Sequence, residues 1–437
     1  MLTLLAYSMV VVFMFLIMTK RLPALTALIL VPIAFALMGG FGKDLGPMML
    51  SGIKNLAPTG IMLMFAILYF GIMIDAGLFD PVVRKILKLV HGDPMKIVVG
   101  TAVLAMIVSL DGDGSTTYMI TVSAMLPLYQ RLGINRMVLA CVIMLAGGVF
   151  NILPWGGPTA RAASALGVDV GAIFVPMIPA MIFSAAWVLF VAWMLGKKER
   201  ARLGTIAMPG AGSGEQPSAS LVRLSDPATA RPHLLWVNAG LTVALLGLLI
   251  WGAFPLPVLF MVAFAIAIVI NYPQLDEQKE RIATHAANAL PVVALIFAAG
   301  VFVGILSGTK MVDAIAHSVI EAIPPSLGPY MATVTGILSI PFTFFISNDA
   351  FYFGVVPILA KAAAVYGISA AEIGRASIVG QPVHLLSPLV ASTYLLVGMA
   401  KVEFGDHQRY TLMWSLSASV VMFLGAMLCG VIPFVMR

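Results

Sequence analysis

Charge is what this chain has least of. Lys and Arg number 25 and Asp and Glu 19, so 10% of the 437 residues are charged, against roughly a quarter in an ordinary soluble domain. Hydrophobic residues make up 61%, and mean hydropathy is +1.03. A soluble protein of this size has no polar shell large enough to cover that apolar content. The shortage of charge excludes a cytosolic enzyme, a nucleic-acid binder and a disordered scaffold, and leaves a polytopic membrane protein. Cysteine is scarcer still. Cys141 and Cys429 lie in apolar runs and give neither metal spacing nor a disulfide framework. The net charge of +6 is no sign of nucleic-acid binding, because cytoplasmic loops of membrane proteins carry excess Lys and Arg. The first apolar stretch lacks a positive leader and a small-residue cleavage site, and Lys20 and Arg21 follow it. It reads as a retained helix.

What is present is a series of apolar runs of membrane-spanning length, about 20 residues each. Spans are expected over 2–18, 22–38, 56–79, 138–154, 173–195, 233–251, 256–271, 285–307, 377–400 and 412–435. Between the fifth and sixth lies a Lys/Arg-rich, then Gly/Pro/Ser-rich stretch, 196–232, which reads as a flexible connector. Its Lys197, Lys198, Arg200, Arg202, Arg223 and Arg231 place it in the cytoplasm. Two further apolar stretches, 95–128 and 330–364, carry polar tips, D-G-D-G-S-T-T and S-N-D. Polar backbone at membrane depth is tolerated only inside protein or beside a wet cavity, so both are expected to be re-entrant hairpins.

The halves match at a nearly fixed offset. A shift of 233 or 234 lays Gly71, Tyr118, Pro154 and Thr159 over Gly304, Tyr352, Pro388 and Thr393, and lays one interrupted segment over the other. The expected organisation is a first repeat (1–195), the linker (196–232) and a second repeat (233–437). With an odd number of spans per half, the second copy must be inverted. Inverted repeats with broken helices mark secondary transporters, whose sites lie where the repeats meet.

Three stretches carry chemistry. In the first tip, Asp111 and Asp113 are carboxylates at an expensive depth, and their mutual repulsion suits a proton carrier or a divalent-cation ligand. Gly112 and Gly114 let the backbone turn sharply. Ser115, Thr116 and Thr117 offer hydroxyls and helix N-terminal amides to an anion. The competing reading is an exposed turn, since D-G is a turn dipeptide. In the second tip, Ser347 and Asn348 are hydrogen-bonding groups and Asp349 is either a coupling carboxylate or a helix cap. The third stretch runs from Asn151 through Pro154, Gly156, Gly157, Pro158 and Thr159 to Arg161. Two prolines and two glycines unwind a helix there, freeing carbonyls for a cation. Arg161 is a candidate clamp for an acidic substrate or a snorkelling interfacial side chain. The matching stretch of the second half offers Ser387, Ser392 and Thr393, with His384 as a proton shuttle or a packing residue. Asp75 lies on an ion path or at the cytoplasmic interface. Asp80 and Asp313 read as caps of interfacial helices.

The segments spanning 60–81, 109–120 and 151–162, among them S-L-D-G-D-G-S-T-T-Y-M-I and N-I-L-P-W-G-G-P-T-A-R-A, closely resemble the citrate–metal:proton symporter (CitMHS) family of the ion transporter superfamily. The resemblance covers the chain outside the connector. It implies an all-α elevator-type fold in the bacterial inner membrane, no enzymatic activity, and import of citrate complexed with Mg²⁺ or Ca²⁺, coupled to protons. It also implies a homodimer bathed in membrane lipid. Superfamily relatives coupled to sodium carry S-N-T at both tips. Here Ser347 and Asn348 keep two members, Asp349 replaces the third, and the first tip departs entirely. Asp111, Asp113 and Asp349 are accordingly the expected proton or metal groups. Ser115, Thr116, Asn151, Gly156, Gly157, Thr159, Arg161, Ser347, Asn348, Ser387 and Thr393 are the expected substrate contacts. The alternatives are a sodium- or proton-coupled carrier of another di- or tricarboxylate, a cation/proton antiporter, an intramembrane aspartyl enzyme and a channel.

Overall fold

The computed structural model describes residues 2–19, 21–90, 93–112, 114–203, 226–252, 254–322 and 324–435. Asp113 and residues 204–225, most of the connector, lie outside the described residues. Every regular element among those described is helical. The first half gives α1 (Leu2–Met18), α2 (Ala24–Met38), α3 (Leu45–Asp75), α4 (Asp80–Leu89), α5 (Pro94–Val108), α6 (Gly114–Leu132), α7 (Arg136–Phe150), α8 (Gly157–Leu166) and α9 (Val170–Leu203). The second gives α10 (Leu235–Trp251), α11 (Leu256–Asn271), α12 (Leu275–Gly308), α13 (Met311–Ala322), α14 (Met331–Phe345), α15 (Val356–Ala364), α16 (Ala370–Ser377), α17 (Gln381–His384), α18 (Ala391–Ala400) and α19 (Phe404–Leu428).

Seven helices among the described residues are long and apolar enough to cross a membrane. They include five of the expected spans and one arm of each hairpin. The runs 2–18, 22–38, 138–154 and 256–271 form shorter apolar helices, and 377–400 is divided among α16, α17 and α18. Several helices begin or end beyond the apolar run. With 34 residues, α9 is roughly 51 Å long at about 1.5 Å per residue, well beyond a hydrocarbon core of about 30 Å. It continues through K-K-E-R-A-R because Lys, Glu, Arg and Ala are strong helix formers, so the helix enters what composition assigned to the connector. For the same reason α12 starts at Leu275 and carries D-E-Q-K-E-R outside the apolar run.

Each of the stretches 95–128 and 330–364 folds as two helical arms joined at its polar tip. α5 and α14 have 15 residues each, about 22 Å, and each turns back at a polar tip. In the first, a 3-10 turn over Ser109–Asp111 ends at Gly112, whose φ of 80° is open to glycine and strained for other residues. In the second, Ile346 is extended, and the returning arm starts with a wide π-helical stretch, Ala350–Val355, before α15. Such stretches recur at functional sites.

Two groups of helices emerge. In one, α3 and α12 cross at close range, with α2 against α12 and α11 against α3. A Cβ built on Gly52 would lie 2.8 Å from the Gly304 Cα, so the crossing depends on small residues, as membrane helix contacts commonly do. In the other group, α5 packs on α7 and α9, α14 on α16, and α19 on α7 and α9. α8 touches both groups. Asp93, just ahead of α5, ties this second group at one end. It caps α5 through the Met95 amide (3.0 Å) and accepts Arg200 Nε (2.9 Å) and Nη2. The Arg200 hydrogen bond holds the Asp93 carboxyl below the usual carboxylate range.

Candidate functional site

The two interrupted helices are closed by one device. α7 stops at Phe150, Asn151–Gly156 is irregular, and extended Gly156 leads into α8 with Pro158 in its first turn. Thr159 Oγ1 donates to the Ile152 carbonyl (2.6 Å), holding the far side of the break against the near side. In the second half Thr393 Oγ1 donates to the Leu385 carbonyl. Both hydroxyls are fully buried, so each satisfies a carbonyl that the missing helical turn leaves open. Ser387 Oγ accepts from the Leu389 amide (3.2 Å) within the same break.

The second tip reaches across to the first break. Ser347 Oγ accepts from the Ala350 amide (3.2 Å), so the capping that sequence offered to Asp349 falls to Ser347. Asp349 is left in the first turn with its carboxylate free to turn sideways, and Arg161 Nε donates to its Oδ1 at 2.6 Å. The pair's side chains are 21% and 18% exposed. Arg161 is therefore not a snorkelling residue; it meets a carboxylate from the opposite half of the chain. A Cβ at Gly157 would stand 2.5 Å from Arg161 Nη1, so the missing side chain there makes room for the guanidinium beside the break.

A buried amide joins the remaining pieces. Gln381, at the start of α17, accepts from Asn151 Nδ2 (2.9 Å) and donates to Asn348 Oδ1 (3.3 Å) and the Tyr352 hydroxyl (2.9 Å). The Tyr352 hydroxyl goes on to the Ser377 carbonyl (3.3 Å). One side chain thus links the first break, the second break and the second tip. His384 Nδ1 lies 2.6 Å from the Thr343 carbonyl, and the ring is buried, which fits the packing reading of this residue.

The first tip leans on the first break from the other side. Trp155 Nε1 donates to the Leu110 carbonyl (2.9 Å), and its ring packs against Phe70 of α3 and Phe260 of α11 at centroid separations of 5.1 and 5.2 Å. Asp111 is 6% exposed, which excludes the reading of this tip as an exposed turn. Thr117 Oγ1 donates to Ser109 Oγ (3.3 Å). Ser115 and Thr116 are half-buried in the first turn of α6. A Cβ at Gly114 would lie 3.6 Å from Ser392 Oγ, so the first tip also meets the second break. Asp113 lies outside the described residues. Among those described, no group of three or more His, Cys, Asp or Glu side chains is arranged to hold a metal. Cavities of about 210 and 380 Å³, both lined by Asn55 and Gly167, lie between α3 and the far end of α8.

Other carboxylates are placed away from this centre. Asp75 pairs with Arg281 (3.3 Å) and His285 Nε2 (2.8 Å). Beside it, Thr229 and Arg231 from the end of the connector bond the Asp75 and Ala76 carbonyls. Asp75 thus lies beside the end of the connector, apart from the two breaks. Asp80 and Asp313 lie in the first turns of α4 and α13. Their charge suits the helix dipole, and Asp313 pairs with Lys361 at 2.8 Å. Sequence reasoning missed Gln381, Tyr352 and Trp155. The available signals were a glutamine within an apolar run, the register match of Tyr352 with Tyr118, and a tryptophan inside a Pro/Gly break.

The citrate transporter family model matches residues 13–380. A Bacillus subtilis (strain 168) protein named "Citrate transporter" is 62% identical over 434 residues, 99% of this chain and 100% of that protein. The chain belongs to the CitMHS citrate transporter family. Within that family, a B. subtilis "Mg(2+)/citrate complex secondary transporter" is 53% identical, covering 99% of both chains. This family member also shares its fold with the Alcanivorax borkumensis YdaH transporter, whose crystal structure is described as having an unusual topology. The TM-score is 0.64 at 15% identity, over 91% of this chain and 90% of the other. The relatives are transporters, the helices are those of an integral multi-pass membrane protein, and the enzyme reading falls away.

Proposed function

We propose that this CitMHS member imports citrate as a complex with a divalent cation, Mg²⁺ foremost, and that protons drive the uptake. The observation that carries the reading is the Arg161–Asp349 contact. It joins a guanidinium from one broken helix to a carboxylate from the opposite hairpin, beside hydrogen-bonding groups of both halves. Metal–citrate presents outward carboxylates and a cation, so it needs both signs of charge at one place. A guanidinium holds a carboxylate through paired N–H donors. Mg²⁺ is commonly held by one or two protein carboxylates together with the oxygens of its bound substrate, so cargo that brings its own ligands requires no protein cage. The Mg²⁺/citrate carrier among the relatives supports the same cargo.

In this reading Asn151, Asn348, Ser347, Ser387, Thr393, Thr159 and the freed backbone at Gly156 and Gly157 shape the pocket, with Ser115 and Thr116 closing it from the first tip. Asp111, buried at that tip, is the proton carrier. The two halves are inverted repeats about the linker, consistent with the reciprocal packing of α2 on α12 and α11 on α3. The α5–α9 and α14–α19 group slides as an elevator against the α3–α12 group. Lipid covers the outer apolar faces of α10 and α11, the protein is a homodimer in the bacterial inner membrane, and the linker is cytoplasmic. Uptake of labelled citrate into proteoliposomes tests the function. Uptake should require Mg²⁺ or another divalent cation and should rise with an inwardly directed proton gradient. Uptake that is driven by sodium and indifferent to divalent cations would contradict it.

A further inference from the structure

The Arg161–Asp349 contact also bears on how metal and anion are recognised together. We propose that this ion pair is a partner-exchange lock: the cargo's carboxylate takes the place of Asp349 on Arg161, while the cargo's metal takes the place of Arg161 on Asp349. The inference rests on the metal–citrate reading above and deepens it.

Four observations carry the exchange. The pair spans two elements from opposite halves, α8 and the second tip, so opening it changes how those elements are held together. Both side chains are about a fifth exposed, so the charges are largely shielded yet each side chain keeps an accessible surface. The contact uses Arg161 Nε and Asp349 Oδ1, while Nη1 lies beside Gly157 at the break. A carboxylate arriving at the break therefore meets the guanidinium before the pair has parted. Finally, Ser347 takes the capping role at the tip, so Asp349 can leave Arg161 without uncapping the returning arm.

Charge bookkeeping then decides between cargoes. An isolated partly buried charge is far costlier than a paired one, whereas a pair reached by solvent is weak and exchanges readily. Free citrate would satisfy Arg161 but leave Asp349 unpaired beside a second anion. Free Mg²⁺ would satisfy Asp349 but leave Arg161 without a partner. Only the complex re-pairs both groups at once. Joint selection of metal and anion follows from two side chains.

Mirrored substitutions in the full-length protein, purified in detergent, test the lock by calorimetry and manganese paramagnetic resonance. Asp349→Asn releases Arg161. It should bind citrate in EDTA at least tenfold more tightly than the wild type and lose its Mg²⁺ stimulation. Arg161→Gln releases Asp349 and should bind Mn²⁺ in the absence of citrate at least tenfold more tightly than the wild type. The charge-swapped double variant, Arg161→Asp with Asp349→Arg, should regain thermal stability but not Mg²⁺–citrate binding, because a merely structural pair would regain both. The exchange is overturned if either single variant, once shown to be folded, gains no affinity for its free ligand, or if the swap restores cargo binding. A wild-type protein that binds citrate tightly without metal, or not at all, would overturn the underlying reading as well.

Discussion

Replacing Gln381 with leucine is the most informative structural perturbation of the site. The residue is fully buried, and leucine is close to it in volume, so the change removes polar contacts with little cavity or overpacking cost. It deletes hydrogen bonds to Asn151 (2.9 Å), Asn348 (3.3 Å) and Tyr352 (2.9 Å). At about 1 kcal/mol net per good bond, with the long contact to Asn348 counted as half, the loss in stability is about 2–3 kcal/mol. The penalty does not grow further, because the Tyr352 hydroxyl keeps the Ser377 carbonyl and both asparagines are half-exposed to the site. The effect on affinity has a separate origin. Asn151 and Asn348 come from opposite halves and are oriented by this one amide, so binding of Mg²⁺–citrate should weaken by about tenfold, or about 1.4 kcal/mol. Thermal unfolding and calorimetric titration of the same purified variant measure the two quantities. A folded Gln381→Leu protein that binds Mg²⁺–citrate within about twofold of the wild type would refute the idea that Gln381 organises the site.

Three further sets of substitutions probe the breaks, the helix crossing and the Asp93 cap. Thr159→Val and Thr393→Val each remove a buried hydroxyl from the carbonyl across a break and should each cost about 1–3 kcal/mol, read as a lower unfolding temperature with reduced uptake; Thr→Ser at either position should retain both. Gly52→Leu should prevent the α3–α12 crossing and leave little folded protein on size-exclusion chromatography, while Gly240→Leu, where nothing lies within 4 Å of a Cβ, should behave as the wild type. Asp93 has a depressed folded-state pKa, so its bond to Arg200 stabilises fully above the unfolded carboxylate value near 4 and loses its effect as pH falls through the lower folded value; the stability gap between wild type and Asp93→Asn should be constant from pH 6 to pH 8 and shrink on acidification below about pH 4.

The sequence was most legible where the bilayer restricts the options. Polar tips in apolar runs at 95–128 and 330–364 had few tolerated solutions, and both stretches fold as two helical arms around the tip. The Pro/Gly content of 151–158 likewise made the break in the first half readable. The partners were not legible. Arg161 and Asp349 are 188 residues apart, and no local pattern announces a bond at that separation. Gln381 was passed over because one neutral side chain in an apolar run carries little weight beside paired carboxylates, although three bonds converge on it. Helix ends were misplaced for a simpler reason: K-K-E-R-A-R and D-E-Q-K-E-R are polar enough to look like loops, yet their intrinsic propensity is helical. Asp349 as a cap failed because Ser347, two residues earlier, is the better placed capping group.

Counterflow is the most direct test of the claim that groups from both halves hold metal–citrate at a single alternating site. Proteoliposomes loaded with unlabelled Mg²⁺–citrate are diluted into labelled citrate with Mg²⁺. The account predicts a transient overshoot of label that vanishes in EDTA and is absent from vesicles carrying Arg161→Gln. An overshoot of equal size in EDTA, or an undiminished one with Arg161→Gln, would contradict it.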